Sequence, residues 1–303
     1  MSNNEKEYDI RSITELTGIN PIRLRAWENR HQLITPERSK SGRRIYTEKD
    51  LIKLQDIIKL LNQGFAIGQI KNLLDSQETK QTIHHATSLQ NQWEGYNVAI
   101  MNAITHFDID ALDNLYNDAT ANYPFDLVLT KLLKPTFVTL GEKWHQNNTG
   151  IAEEHFFSTY IRNKIGSRIL HLSGQRKLQK SLLLLACLPN EEHEIGLLFF
   201  GLHALENGFK CLLLGTNLPL NELEHAIHIA KPTLAILYGD INSTVSNQLK
   251  KLALNTKTII TLVEKQSDEK RNHKAPEGTF LLSSDFTIAV NSIRKIISTK
   301  TRG

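Results

Sequence analysis

The chain has little of what secreted, membrane and zinc-binding proteins require. Its 303 residues include only two cysteines, Cys187 and Cys211, both inside apolar runs, which argues against a disulfide framework and predicts buried strand residues. The longest apolar runs, such as 182–188, are far shorter than the roughly 18 residues of a membrane helix, and the N-terminus is polar and acidic. We therefore expect a cytoplasmic protein without a membrane partner.

Motifs of catalysis are also scarce. The sequence has no glycine-rich phosphate loop, no nucleophile elbow and no zinc pattern of cysteine and histidine. We expect that the protein is not an enzyme. A methyl or radical carrier is the least favoured of three hypotheses, because no residues remain for a separate substrate-binding domain after the segments assigned below.

Length and composition predict a multidomain protein. With 303 residues and 40% hydrophobic content, the chain can form several cores. The periodicity predicts an α-helical winged helix-turn-helix head over 1–75, a polar linker over 76–89, a four-helix bundle over 90–175 and an α/β domain over 176–303. The bundle prediction rests on apolar residues that recur every three or four positions.

Residues 8–46 have the pattern of a helix-turn-helix followed by a basic wing. Thr17 and Gly18 predict the turn between two short helices, Asn20 predicts the cap of the second helix, and Pro21 suits its first position. The predicted small core contains Ile13, Leu16, Ile19 and Leu24.

Positive charge is concentrated in the same segment. Residues 20–46 contain seven Arg or Lys and two Glu, an excess that attracts a polyanion far better than the net charge of +4 suggests. On the second helix Arg23, Arg25 and Arg30 surround Trp27, so one stripe can pack inward while guanidinium groups reach phosphates or guanine edges. The predicted partner is double-stranded DNA.

Three motifs here resemble those of the MerR-type winged-helix regulators. They are Ile-Arg-Ser-Ile-Thr-Glu-Leu-Thr-Gly from residue 10, Leu-Arg-Ala-Trp-Glu from residue 24, and Gly-Arg-Arg-Ile-Tyr-Thr-Glu-Lys-Asp-Leu from residue 42. The resemblance covers about the first 75 residues. It implies that Arg23 and Arg25 lie on the recognition helix and that Arg43, Arg44 and Tyr46 form the wing. We expect the head to bind its operator as one of a two-fold pair.

After Gly174 the pattern changes to five short apolar runs, with amphipathic segments of helix length between the first four. This alternation predicts a flavodoxin-like parallel sheet with helices on both faces and any ligand at the carboxyl ends of the strands. The runs are 182–188, 210–214, 233–238, 258–263 and 279–282, and a final helix is predicted around 286–297.

Polar residues suited to ligand binding occur in the loop after the first run and in the bundle. The loop 189–196 contains His193, whose imidazole can face a ligand while its other ring nitrogen donates to Glu191. In the bundle, Trp144-His145 is followed by Glu154-His155, with nine residues between Trp144 and Glu154. A large flat ligand held between the bundle and the sheet would meet both sets.

These motifs resemble the cobalamin-binding module of methionine synthases and corrinoid proteins. Behind a MerR-type head, they make the whole chain similar to the light-responsive, cobalamin-dependent repressors of the CarA, CarH and LitR group. The implied cofactor is adenosylcobalamin. The resemblance implies that His193 is the lower axial ligand of cobalt, with Glu191 as its partner, and that Gly196 permits close approach of the corrin tail.

The same resemblance assigns the residues of the bundle. Trp144 would cover the upper adenosyl group, and Glu154 and His155 would contact it. His145 would be the upper cobalt ligand taken up after photolysis.

The sequence departs from that pattern at three places. Glu191 stands where the family has Asp, the usual Ser-x-Leu after the third strand is replaced by Leu237-Tyr238-Gly239-Asp240, and the usual Gly-Gly after the fourth by Leu262-Val263-Glu264-Lys265. Bulky or charged side chains at the last two places would obstruct the dimethylbenzimidazole tail.

Two regulator hypotheses therefore stay open. In the first, a repressor senses adenosylcobalamin and light through changes in oligomeric state, as a homodimer or tetramer, and in DNA affinity. In the second, a cobalamin-independent regulator uses its second half for oligomerisation, partner binding or another ligand.

Overall fold

A computed structural model describes residues 6–19, 21–39, 41–63, 65–75, 82–147, 150–174, 181–192, 194–263 and 275–300. The chain forms two compact units, residues 1–160 and 161–303. Among the described residues, no helix has the length and apolar character needed to cross a membrane.

The described part of the head of the first unit contains four helices and a short hairpin. The elements are α1 (Ile10–Thr17), α2 (Pro21–Asn29), β1 (Glu37–Arg38), β2 (Arg44–Ile45), α3 (Glu48–Asn62) and α4 (Ile67–Asp75). Asp9 caps α1 by accepting a hydrogen bond from the Ser12 amide, and Gly18 ends it at φ 71°. The predicted turn at Gly18 is thereby confirmed, while Asn20, the predicted cap of α2, lies outside the described residues.

The core of the head contains three of the four residues predicted for it. Ile13, Ile19 and Leu24 are buried, but Leu16 is 55% exposed, so its assignment was wrong. Ile13 is the buried residue of α1, and the other elements complete the core with aliphatic residues and four aromatic ones. Those buried aromatics are Tyr8, Trp27, Tyr46 and Phe65.

A helical segment follows the head. It comprises α5 (Thr82–Thr105), α6 (Ile109–Asn122), α7 (Phe125–Val128), a π-helical turn (Leu129–Leu133), α8 (Lys134–Asn147) and α9 (Ile151–Gly174). Because α7, the π turn and α8 are continuous, the described part of the segment has the four helical rods expected. The predicted linker 76–89 is only partly described, and from Thr82 onward it is helix.

The second unit contains a parallel sheet of five described strands. These are β3 (Leu182–Cys187), β4 (Lys210–Leu213), β5 (Leu234–Tyr238), β6 (Ile259–Val263) and β7 (Thr279–Leu282), in the order β4-β3-β5-β6-β7. This is the flavodoxin-like order, and each strand lies within a predicted apolar run. The predicted fold class is thereby confirmed.

Helices cover both faces of this sheet and enclose two apolar cores. One core lies under α10 (Ile195–Glu206) and α13 (Phe286–Lys300), and the other under α11 (Leu220–Ala230) and α12 (Ser243–Thr256). Cys187 is buried on β3 and Cys211 is half-buried on β4, where burial raises the pKa of the Cys211 thiol to about 12. Both cysteines are therefore strand residues, as predicted, but only Cys187 is fully buried.

Candidate functional sites

The head presents an exposed basic surface. Arg25 on α2, Arg30 directly after α2 and Arg43 at the end of the wing turn are all exposed. The wing turn is held by Ser39 and Arg43, since the Ser39 amide donates to the Arg43 carbonyl at 2.8 Å. Its position before β2 keeps the Arg43 guanidinium at the surface, where a phosphate could approach it.

Arg44 and Tyr46, the other two predicted wing residues, converge on one buried carboxylate. Arg44 Nε donates to Glu28 Oε2 and the Tyr46 hydroxyl donates to Glu28 Oε1, each at 2.6 Å. The Glu28 side chain is only 6% exposed. Burial, followed by the hydrogen bond to Glu28, raises the pKa of Tyr46 far above its ordinary value.

The expectation that Tyr46 contacts DNA therefore needs correction. Its side chain is fully buried and belongs to the core of the head. The Tyr46 amide also donates to the Tyr8 carbonyl at 2.9 Å, so the backbone is tied to the start of the head. Tyr46 supports the wing from inside, and its position gives it no direct path to a base or a phosphate.

Arg23 on α2 forms an ion pair with the helical segment of the same unit. Its Nη2 lies 2.7 Å from Oδ2 of Asp126 on α7, and the arginine side chain is mostly buried. The Asp126 carboxylate thus pairs with the Arg23 guanidinium, which was predicted to reach DNA. No local sequence pattern predicts this pair, because 103 positions separate its members.

The bundle residues predicted to bind a ligand lie at the end of α8 and the beginning of α9. Trp144 and His145 are on α8, but their side chains lie outside the described part of the chain. On α9 Glu154 is half-buried and accepts a hydrogen bond from the Ser158 hydroxyl, while His155 is exposed.

The loop after β3 holds Glu191 in a fixed position. Its side chain is 7% exposed, its amide donates to the Leu188 carbonyl, and its carbonyl accepts from the Asn217 amide, both at 3.1 Å. The Asn217 side chain in turn accepts from the Asn190 amide at 3.0 Å. His193 itself lies outside the described residues.

Gly196, in the first turn of α10, faces the side chain of Tyr238 at the end of β5. A Cβ placed on Gly196 would lie 2.2 Å from the Tyr238 hydroxyl oxygen and 2.3 Å from Cζ. Burial raises the pKa of the Tyr238 hydroxyl to about 12, with a further contribution from the negative charge of Glu191. The space above this glycine is therefore filled by a desolvated phenol ring.

A crevice of about 640 Å³ opens at the carboxyl ends of the strands in the second unit, as the α/β rule predicts. Its lining mixes apolar residues with five amide side chains, those of Asn190, Asn217, Asn221, Asn242 and Gln248. The sequence predicted the place of this crevice but not its lining residues, because isolated amides in separate loops form no motif. Across the described residues, no group of three or more His, Cys, Asp or Glu is arranged to hold a metal ion.

Comparison with known proteins assigns families to two segments of the chain. Residues 8–77 match the MerR HTH family of regulatory proteins, and residues 98–168 match the B12 binding domain. The transcriptional repressor CarH of Myxococcus xanthus is 28% identical over 75% of this chain and 77% of its own length. The repressor CarA of the same organism is 24% identical over 75% of each chain.

One solved structure supports the fold of the second half. The monomethylamine corrinoid protein of Methanosarcina barkeri superposes with a TM-score of 0.52 and 15% identity, covering 67% of this chain and 99% of that protein. At this identity the likeness concerns the fold alone.

Proposed function

We propose that this chain, which joins a MerR helix-turn-helix head to a B12-binding domain, is a DNA-binding transcriptional repressor that senses a corrinoid. The observation that carries the proposal is the similarity to two repressors over three quarters of the chain, across both segments. These relatives also favour a regulator over an enzyme. By resemblance to the light-responsive group, the finer proposal names adenosylcobalamin as the ligand and light as the stimulus.

The head supplies the DNA-binding surface. Arg25, Arg30 and Arg43 are exposed and project from α2 and the wing, where arginine can neutralise phosphates or form two hydrogen bonds to guanine. Arg44 contributes mainly through Glu28, which fixes the wing against α2. We expect two heads to bind one operator, so the active species is a homodimer or a tetramer.

The second half retains part of the set implied for corrinoid binding. Glu191 is buried two residues before His193, the residue proposed as lower cobalt ligand, and Glu154 and His155 lie near the start of α9. When bound, the corrin would supply a cobalt centre and a photolabile upper bond. The space beside Gly196 does not fit the nucleotide tail, however, because the Tyr238 ring fills it.

The first experiment measures uptake and response together. Purified protein is incubated with adenosylcobalamin in the dark and desalted, and absorption spectra are recorded before and after green light. The proposal expects a retained corrin band that changes on illumination, together with a change in oligomer size by light scattering. His193→Ala should reduce uptake.

A DNA arm tests the regulator. Duplexes enriched from a random library are titrated by fluorescence anisotropy with the dark and the illuminated protein. If the corrin is retained and the two affinities are equal, the domain does not control DNA binding.

A cobalamin-independent regulator is the second candidate, and the filled space beside Gly196 is the observation that favours it. A protein that stays colourless after incubation, yet binds its enriched duplex tightly, would establish this alternative. The amide-lined crevice in the second unit would then be the first place to test for another small polar ligand.

A further inference from the structure

The Tyr238 side chain is held in place by its surroundings. Its backbone lies inside the sheet, in register with Cys187 of β3 and Val263 of β6, and its carbonyl accepts a hydrogen bond from the Leu188 amide at 2.8 Å. Its ring packs against the apolar core under α10 and α13. The backbone cannot shift without breaking the sheet, so only rotation of the side chain can remove the ring from Gly196.

Gly239, the residue after Tyr238, is also held by close contacts with the loop after β3. Gly239 has a φ of +138°, and a Cβ at this position would lie 3.2 Å from the Glu191 Cβ and 3.3 Å from the Leu188 Cβ. Only glycine combines this backbone with such close neighbours. The β5 end is therefore packed against the loop that precedes His193.

We propose that Tyr238 sets the corrinoid specificity of the domain, so that corrinoids without the nucleotide tail bind in preference to complete cobalamin. This inference rests on the proposed corrinoid function. A fused bicyclic base cannot share the space that a phenol ring fills at van der Waals contact, and displacing the ring breaks its packing against the core. A cobinamide has the corrin ring and cobalt but no nucleotide tail, so it can bind while the Tyr238 ring stays beside Gly196.

The test compares two ligands on three proteins. Dark equilibrium binding of adenosylcobinamide and adenosylcobalamin is followed by corrin absorption after ultrafiltration. Wild type should prefer adenosylcobinamide by about tenfold or more, the range expected when an overpacked site must rearrange. Tyr238→Ala should lose most of that preference, by a gain in adenosylcobalamin affinity. Tyr238→Phe is the matched control, because its ring still fills the space and should keep the wild-type ratio.

Several outcomes would overturn the inference. Equal binding of both corrinoids by wild type, or an unchanged ratio in Tyr238→Ala, overturns the assignment of Tyr238 and leaves the proposed function standing. Failure of every variant to bind either corrinoid overturns the proposed function and this inference with it.

A measurement without ligand checks the geometry even if Tyr238→Ala folds poorly. Gly196→Ala should lower the thermal midpoint of the full chain, because its Cβ would collide with the Tyr238 ring. In a protein that already carries Tyr238→Ser, Gly196→Ala should lower the thermal midpoint by less than it does in the wild type. If Gly196→Ala has the wild-type midpoint, Tyr238 does not occupy this space and the inference fails.

Discussion

Removal of Glu28 should detach the wing from the head. The carboxylate accepts from Arg44 and from the Tyr46 hydroxyl, and it is almost completely buried. Glu28→Ala leaves the Tyr46 hydroxyl without its acceptor inside the core and removes the counter-charge of Arg44. Breaking a buried charged network by deleting one partner costs about 3–5 kcal/mol.

The cost here should lie near the lower end of that range. Arg44 retains a quarter of its side-chain exposure, so water can partly solvate the guanidinium once the carboxylate is gone. We therefore expect a loss of about 3 kcal/mol in local stability, which corresponds to opening of the wing about 100-fold more often.

Hydrogen–deuterium exchange of the full-length protein measures this opening directly. The relevant amides are those of Ser39 and Tyr46, which donate to the Arg43 and Tyr8 carbonyls. In Glu28→Ala they should exchange about 100-fold faster, while amides of α9 keep their rates. Tyr46→Phe should show a smaller effect of about 1 kcal/mol, because it removes one hydrogen bond and keeps the ring.

Glu37→Ala provides the matched control, since it removes an exposed carboxylate of the same charge from β1. It should leave wing exchange close to wild type. Wild-type exchange in Glu28→Ala, or equal acceleration in both variants, would refute the role of the buried carboxylate.

Three further predictions concern the head. Asp126→Asn should raise DNA affinity about two- to fivefold at low salt because it weakens the ion pair with Arg23, and the gain is modest because the carboxylate is partly exposed. Asp110→Asn should have no such effect, and equal anisotropy titrations of the two variants would contradict the prediction. Arg43→Ala should weaken binding to all duplexes and reduce the slope of log affinity against log salt concentration by about one. An unchanged slope would show that Arg43 does not contact a phosphate. Asp9→Ala should destabilise α1 by about 1 kcal/mol. Backbone and side-chain hydrogen bonds lower the pKa of Asp9 in the folded state. The stability difference between wild type and Asp9→Ala should therefore be present above about pH 4 and be lost as pH falls further. A stability difference that urea unfolding shows to be independent of pH would contradict the cap.

Local signals in the sequence were sufficient to predict most of the fold. Each strand of the parallel sheet is a short apolar run flanked by residues that interrupt secondary structure. For a strand that is buried on both faces, this pattern is sufficient to predict it. Gly18 likewise adopts the left-handed conformation that its position after α1 predicted. In both cases the determinant lies within a few residues of the feature, so a single sequence contains it.

The errors arose where distant residues decide the outcome. Tyr46 follows two arginines and was assigned to the DNA surface, but Glu28, 18 positions earlier, accepts its hydroxyl inside the core. Leu16 has core spacing on α1, yet it is 55% exposed, because other elements of the head pack against Ile13 and leave Leu16 at the surface. The replacement of Ser-x-Leu by the segment that contains Tyr238 suggested an obstruction, but only the three-dimensional packing identifies Gly196 as the place where it occurs.

The ion pair between Arg23 and Asp126 gives a thermodynamic link between the head and the rest of its unit. If Arg23 contacts DNA as the MerR resemblance implies, one guanidinium cannot pair with the phosphate and the Asp126 carboxylate in the same geometry, so the two interactions compete. By thermodynamic linkage, any ligand or assembly step that strengthens the Arg23–Asp126 ion pair weakens DNA binding by the same factor. DNA binding weakens the ion pair by that factor in turn. The pair is partly exposed, so this coupling is worth about 1 kcal/mol or less, roughly a fivefold change in affinity. Such a term adjusts DNA affinity but is too small to act as an on-off switch, which would have to come from the number of heads that bind together.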